Sequence, residues 1–114
     1  MSGAALASDP GTVAFAVDQM AGAGVLRHAR MFGEYAIWCD GKLVALVCDD
    51  QLFLKPTAGA LALMAGLPMG PPYAGAKPMM IGDALLDDPD RLARVVAQIA
   101  ADLPDPKPKK PRKT

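Results

Sequence analysis

At 114 residues, 52% hydrophobic and 21% charged, the chain has material for one globular domain and one core, and too little for two. No apolar stretch reaches the roughly 20 residues of a membrane span, and the opening MSGAALASDPG lacks the basic and apolar regions of a secretory signal, so a cytoplasmic protein is expected. The net charge of zero is unevenly spread: residues 1–104 hold seven basic and eleven acidic side chains, whereas residues 105–114 hold five basic ones and a single acid.

The first predicted element is a helix over about residues 10–22. Asp9 suits the cap, Pro10 the first helical position, and Val13, Val17, Met20 and Ala21 recur at helical spacing until Gly22 and Gly24. Val25–Met31 follows as an edge strand ahead of a meander of Tyr35–Cys39, Lys42–Cys48 and Gln51–Lys55. Asp40-Gly41 predicts a two-residue hairpin turn, because glycine tolerates positive φ. Asp49-Asp50 predicts a second turn, longer or of another type because it lacks glycine. Thr57–Leu67 reads as a short helix capped by Thr57, and the Pro- and Gly-rich stretch after it as largely irregular, with Met79–Ile81 as a short last strand. The final helix opens at Asp88-Pro89, runs along a stripe of Leu92, Val95, Val96, Ile99, Ala100 and Leu103, and stops at Pro104.

Strict alternation along the meander sorts its side chains between two faces. One takes Ala36, Trp38, Leu43, Ala45, Val47, Leu52 and Leu54 and is wholly apolar, which calls for helices to cover it. The other is apolar in its middle and polar at its ends. On it, Tyr35, Ile37, Val44, Leu46 and Phe53 form the candidate interaction surface. Two occupants remain open: self-association or a protein partner, and the chain's own 66–82 segment.

The chemistry-bearing residues are few. On the predicted register Cys39 and Cys48 lie about 20 Å apart at ~3.3 Å per residue, beyond the ~7 Å a disulfide allows and beyond sharing a metal. Lys42 beside Cys39 is the one candidate activator of a thiol. His28 is the sole histidine and has no orienting carboxylate or nucleophile assigned to it, since Ser2 and Ser8 fall near the N-terminus. The acids at 49–50 and at 83, 87, 88 and 90 lack calcium-loop spacing and suit turns and helix caps. No catalytic residue, metal site or cofactor site is expected. The acidic body argues against a folded nucleic-acid platform. Residues 105–114 form a predicted disordered basic tail in which Lys107, Lys109, Lys110, Arg112 and Lys113 offer weak, salt-sensitive nucleic-acid contact without aromatic stacking partners, the alternative being a solubilising terminus.

The run RMFGEYAIWCDGKLVALVCDDQLFLKP, Arg30 to Pro56, resembles the signature of the TfoX N-terminal domain family, and PPYAGAKPMMIG with DALLDDPDRLARVVAQIA is similar to that family's later aromatic segment and closing helix. The resemblance covers about residues 10–103, with Glu34 and Ala36 standing where the family often has glycine. It implies an α+β domain over residues 1–104: a bent antiparallel sheet of about four to five strands packed against N- and C-terminal helices, often dimeric. It also implies a non-enzymatic part in regulating transcription and natural competence, alongside the cyclic-AMP receptor protein. Full-length members add a C-terminal helical domain; here a stand-alone N-terminal domain is expected.

Overall fold

The computed structural model describes residues 8–64 and 66–104. Helix α1 spans Pro10–Gln19, with the Asp9 carboxylate accepting from the Gly11 N–H and Pro10 at the helix start, and a short 3₁₀ turn at Ala21–Ala23 finishes it. Strands β1 (Leu26–Met31), β2 (Glu34–Cys39), β3 (Lys42–Cys48) and β4 (Gln51–Leu54) run as consecutive antiparallel neighbours. Helix α2 (Ala58–Leu63) is capped by the Thr57 side chain, which accepts from the Ala60 N–H. Then come β5 (Met69–Gly70), β6 (Met79–Ile81) and α3 (Pro89–Asp102). The sheet has six strands in the order β1-β2-β3-β4-β6-β5. The extra strand, β5, sits inside the Pro- and Gly-rich stretch, where two residues pairing with β6 leave no periodic trace in sequence.

Three hairpins turn on two residues each. Asp40 and Gly41 have φ of +52° and +83°, Phe32 and Gly33 +53° and +82°, and Asp49 and Asp50 +54° and +59°. Left-handed backbone at both central positions is the geometry that matches strand twist. The Asp49-Asp50 turn reaches it without glycine because its backbone is held from outside. Glu34 Oε2 accepts from the Asp49 N–H at 2.9 Å and Ser8 Oγ from the Asp50 N–H at 2.9 Å.

The helices cover one face of the sheet. Val13, Ala16 and Met20 of the α1 region, Ala60 and Met64 around α2, and Leu92, Val95, Val96 and Ile99 of α3 share one buried cluster with strand residues. Each of the Val, Leu, Ile and Met side chains among them, fully buried, contributes about 1.5–3 kcal/mol through removal from water. At the hairpin tip the Lys42 ammonium donates to the Ala100 carbonyl at 2.7 Å, a cation near a helix C-terminus. Gly59 lets α2 approach α3: a Cβ there would lie 2.6 Å from Asp102 Oδ2, which instead accepts from the Gly59 N–H at 2.9 Å.

The two faces differ from strict alternation, for one physical reason. Cys39 pairs with Lys42 and Trp38 with Leu43, but Ile37 then pairs with Ala45, leaving Val44 as an extra residue in β3. This bulge swings Val44 and Ala45 both toward the helices and reverses the sense of β2 relative to the rest of β3. Tyr35, Ile37, Cys39 and Val44 therefore belong to the helix-covered core, joining Ala45, Val47, Leu52 and Leu54. Trp38, Leu43 and Ala36 move to the outer face. Of the five candidate surface residues, Tyr35, Ile37 and Val44 are thus core residues, and only Leu46 and Phe53 lie on the outer face.

Candidate functional site

The outer face is built by one cross-strand row: Ala36 opposite Leu46, Leu46 opposite Phe53, and Phe53 opposite Ile81. Ala36 and Phe53 are buried, Leu46 half-buried. Trp38 is half-buried as well, with the Arg27 guanidinium of the neighbouring strand 4.0 Å from its ring centroid, a cation–π contact.

The 71–78 segment crosses this face. Pro72 is buried, and with Tyr73, Leu43 and Leu46 it borders two cavities, one of ≈ 530 Å³ and the other of ≈ 500 Å³. The first is also walled by Lys55, Lys77, Met79 and Leu103. The second is walled by Met31, Phe32, Cys48, Glu34 and Asp49. Their polar linings are of opposite sign: lysines without a carboxylate in the first, carboxylates without a cation in the second. The chain's own 66–82 segment thus covers the face in part.

Two aromatic residues bordering the second cavity are exposed to solvent. Phe32 is 100% exposed and Tyr73 62%. Phe32 is exposed because the tight turn between β1 and β2 holds it with φ at +53°, a conformation that costs a bulky L residue about 1 kcal/mol. The Phe-Gly pair between two predicted strands was a readable turn signal that strand alternation alone did not use.

The polar residues singled out in the sequence have structural tasks. Glu34 Oε1 accepts from the Ser8 N–H at 2.8 Å while its other oxygen holds the Asp49 turn. Asp50 Oδ1 accepts from the Asp9 N–H at 2.8 Å. Asp83 Oδ1 accepts from the Leu52 N–H at 2.7 Å, and Asp88 caps α3 by accepting from the Arg91 N–H at 3.3 Å. His28 is exposed on the edge strand opposite Ile37. Among the described residues, no three of the His, Cys, Asp and Glu side chains gather where they could hold a metal ion.

Both cysteines are free and buried. Burial pushes the Cys39 thiol above its ordinary value, Asp40 adding to the rise and Lys42 opposing it. Burial, then Glu34, then Asp49 push Cys48 up to about 11. Lys42 therefore leaves Cys39 a protonated thiol near neutral pH, and neither sulfur is an activated nucleophile. At the other end of α3, hydrogen bonds from Thr57 and then Gln98 hold the Asp102 carboxyl below the usual range.

Lys107, Lys109, Lys110, Arg112 and Lys113 lie outside the described residues. The described chain ends at Pro104, directly after Leu103 in the wall of the first cavity. Among the described residues, no helix is long and apolar enough to cross a membrane.

Comparison with known proteins places this architecture. The chain is similar to an "uncharacterized 12.7 kDa protein in trpE 5′ region" of Spirochaeta aurantia, with 38% identity over 105 residues, covering 92% of this chain and 91% of that protein. The family described as TfoX N-terminal domain matches residues 18–102, from the end of α1 through α3. The chain belongs to the TfoX N-terminal domain family.

Proposed function

We propose that the domain is a non-enzymatic regulatory module of TfoX type, working in the cytoplasm by protein contact through the outer face of its sheet. Transcription, and competence in particular, is the process it serves, and the contact is with a second copy or a protein partner. The observation that carries this reading is the cluster of half-covered and exposed apolar side chains on one face: Leu46, Leu43 and Trp38 half-buried, Phe32 and Tyr73 exposed. Contiguous apolar surface of this kind marks interaction sites, and aromatic anchors carry a disproportionate share of binding energy at interfaces. The buried, protonated thiols and the capping carboxylates support a binding role over a catalytic one.

The test is complementation. A strain lacking the gene, supplied with the wild-type chain or with Leu46→Asp, is profiled for transcripts, while light scattering coupled to size exclusion follows the assembly state of each purified chain. Loss of complementation by a folded Leu46→Asp chain, with loss of its complex, supports the reading. A chain that complements equally well with Leu46 or Asp at this position overturns it.

A second reading rests on the five cations of residues 105–114: weak, sequence-blind contact with nucleic acid. Deleting 105–114 then abolishes retention on DNA in low salt, and unchanged retention removes the tail from consideration.

A further inference from the structure

The first outer-face cavity combines features that neither the core nor the second cavity shares. Its floor is aliphatic, made by Leu43, Leu46 and Met79, and its volume of ≈ 530 Å³ lies within the range of small-molecule pockets. Two lysines, Lys55 and Lys77, stand in its wall, and its lining contains no carboxylate. Neither lysine has an ion-pair partner among the described residues.

Of the two other polar side chains of the lining, the Tyr73 phenol is largely exposed. Thr57 is already engaged: it accepts from the Ala60 N–H at 3.3 Å and is hydrogen-bonded to Asp102. Asp102 accepts from the Gly59 N–H and the Gln98 side chain at 2.9 and 2.8 Å, so it serves the α2–α3 junction. What is left is an aliphatic trough with two uncompensated positive charges. A nucleobase finds no free array of donors and acceptors there to read its edge. An aliphatic chain ending in an anion matches both parts of the lining.

We propose that this cavity is a binding site for a small apolar carboxylate, an alkyl chain of medium length lying on Leu43, Leu46 and Met79 with its carboxylate between Lys55 and Lys77. Apolar burial supplies affinity and grows with chain length, by about threefold to fourfold for each methylene removed from water. The lysines supply the choice of head group, because a charge-assisted hydrogen bond favours an anion over an alcohol of the same shape. The site shares Leu43 and Leu46 with the proposed contact face, but it requires only this chain, so the two readings are tested separately.

The experiment titrates the full chain with sodium octanoate, by calorimetry and by amide chemical shifts. The expected result is saturable binding with shifts at Leu43, Leu46, Lys55 and Lys77. Affinity rises about threefold to fourfold per methylene from hexanoate to octanoate. Octanol and octylamine bind about tenfold more weakly or worse. A Lys55→Glu/Lys77→Glu variant, its fold checked by circular dichroism, reverses the order so that octylamine exceeds octanoate. Met79→Trp, which fills the cavity and spares both charges, abolishes binding of either. Octanoate and octanol binding equally, shifts confined to the second cavity, or saturable binding of an acidic peptide without any of octanoate overturns the proposal. Octanoate binding by a chain whose Leu46→Asp variant still complements would leave this site standing and the protein-contact reading fallen.

Discussion

The sheet's two faces are made of the same residue types and finished in different ways. The inner face is sealed by α1, α2 and α3, and Ile37, Val44, Leu54 and Ile99 have no accessible surface there. The outer face is crossed by a Pro-rich segment, which seats the buried Pro72 beside Leu43 and Leu46 yet leaves two cavities that Tyr73 borders. A helix brings a repeating apolar stripe that can match several strands at once. A short irregular segment brings one or two anchors. The lesson is that hydrophobic content does not tell a core from a contact surface; the element that covers it does.

The sharpest way to break that comparison is to place one charge on each side. Val44→Asp buries an unpaired carboxylate among the helices and is expected to abolish folding, because such a charge has neither water nor partner. Leu46→Asp, two residues away on the half-covered face, is expected to leave a cooperative thermal transition and a native circular dichroism spectrum. Equal losses at the two positions would mean that the faces are equivalent after all.

Cavity-forming substitutions grade the same contrast. Leu54→Ala is expected to cost about 2–5 kcal/mol in urea unfolding, and Leu46→Ala less than about 1.5 kcal/mol, because water already reaches that side chain.

Cys48 adds a pH readout from the outer side. Its thiol is raised from 9.0 in the unfolded reference to about 11 in the fold, so the neutral form is favoured by folding. Its contribution to stability is complete below pH 9 and is lost as pH rises toward about 11. The difference in unfolding free energy between the wild-type chain and Cys48→Ala should therefore shift in favour of the variant across that window, and a constant difference would place the thiol in water.

The smallest effect has the opposite sign. Phe32→Asn removes an aromatic ring from a left-handed turn position that asparagine tolerates, and should stabilise the isolated domain by up to about 1 kcal/mol. The same change should weaken any contact made through the outer face. A stabilised variant with undiminished binding would separate Phe32 from that surface.

Much of the fold was legible in the sequence. Asp9-Pro10 and Asp88-Pro89 announced two helix starts, and Thr57 a third, because capping chemistry is local and each cap is made by the residue that advertises it. Asp40-Gly41 announced a hairpin for the same reason. The faces were only half legible. The run Leu43-Val44-Ala45-Leu46-Val47 is apolar at every position, so it carries no phase from which a one-residue bulge could be read. Alternation counted outward from the Asp40-Gly41 turn placed Trp38 and Leu43 together correctly and lost the register one residue later. The site suffered more than the fold, since Tyr35, Ile37 and Val44 were assigned to a surface on that count alone. Leu46 and Phe53 kept their face because they pair with each other beyond the bulge. The partial cover over them comes from a stretch whose prolines and glycines erase periodicity.

Both ends of the described chain come out beside the outer face. Ser8 is fastened to Glu34 and the Asp49-Asp50 turn at the rim of the second cavity, and Leu103 belongs to the wall of the first. A segment attached at either terminus, a purification tag included, is joined seven residues ahead of Ser8 or ten after Pro104, and so is tethered to one cavity at a raised effective concentration. A fused segment could then act as a built-in competitor at the face it flanks. Binding measurements on this domain are best made after such extensions are cleaved, and deliberate extensions give a way to occupy one cavity at a time.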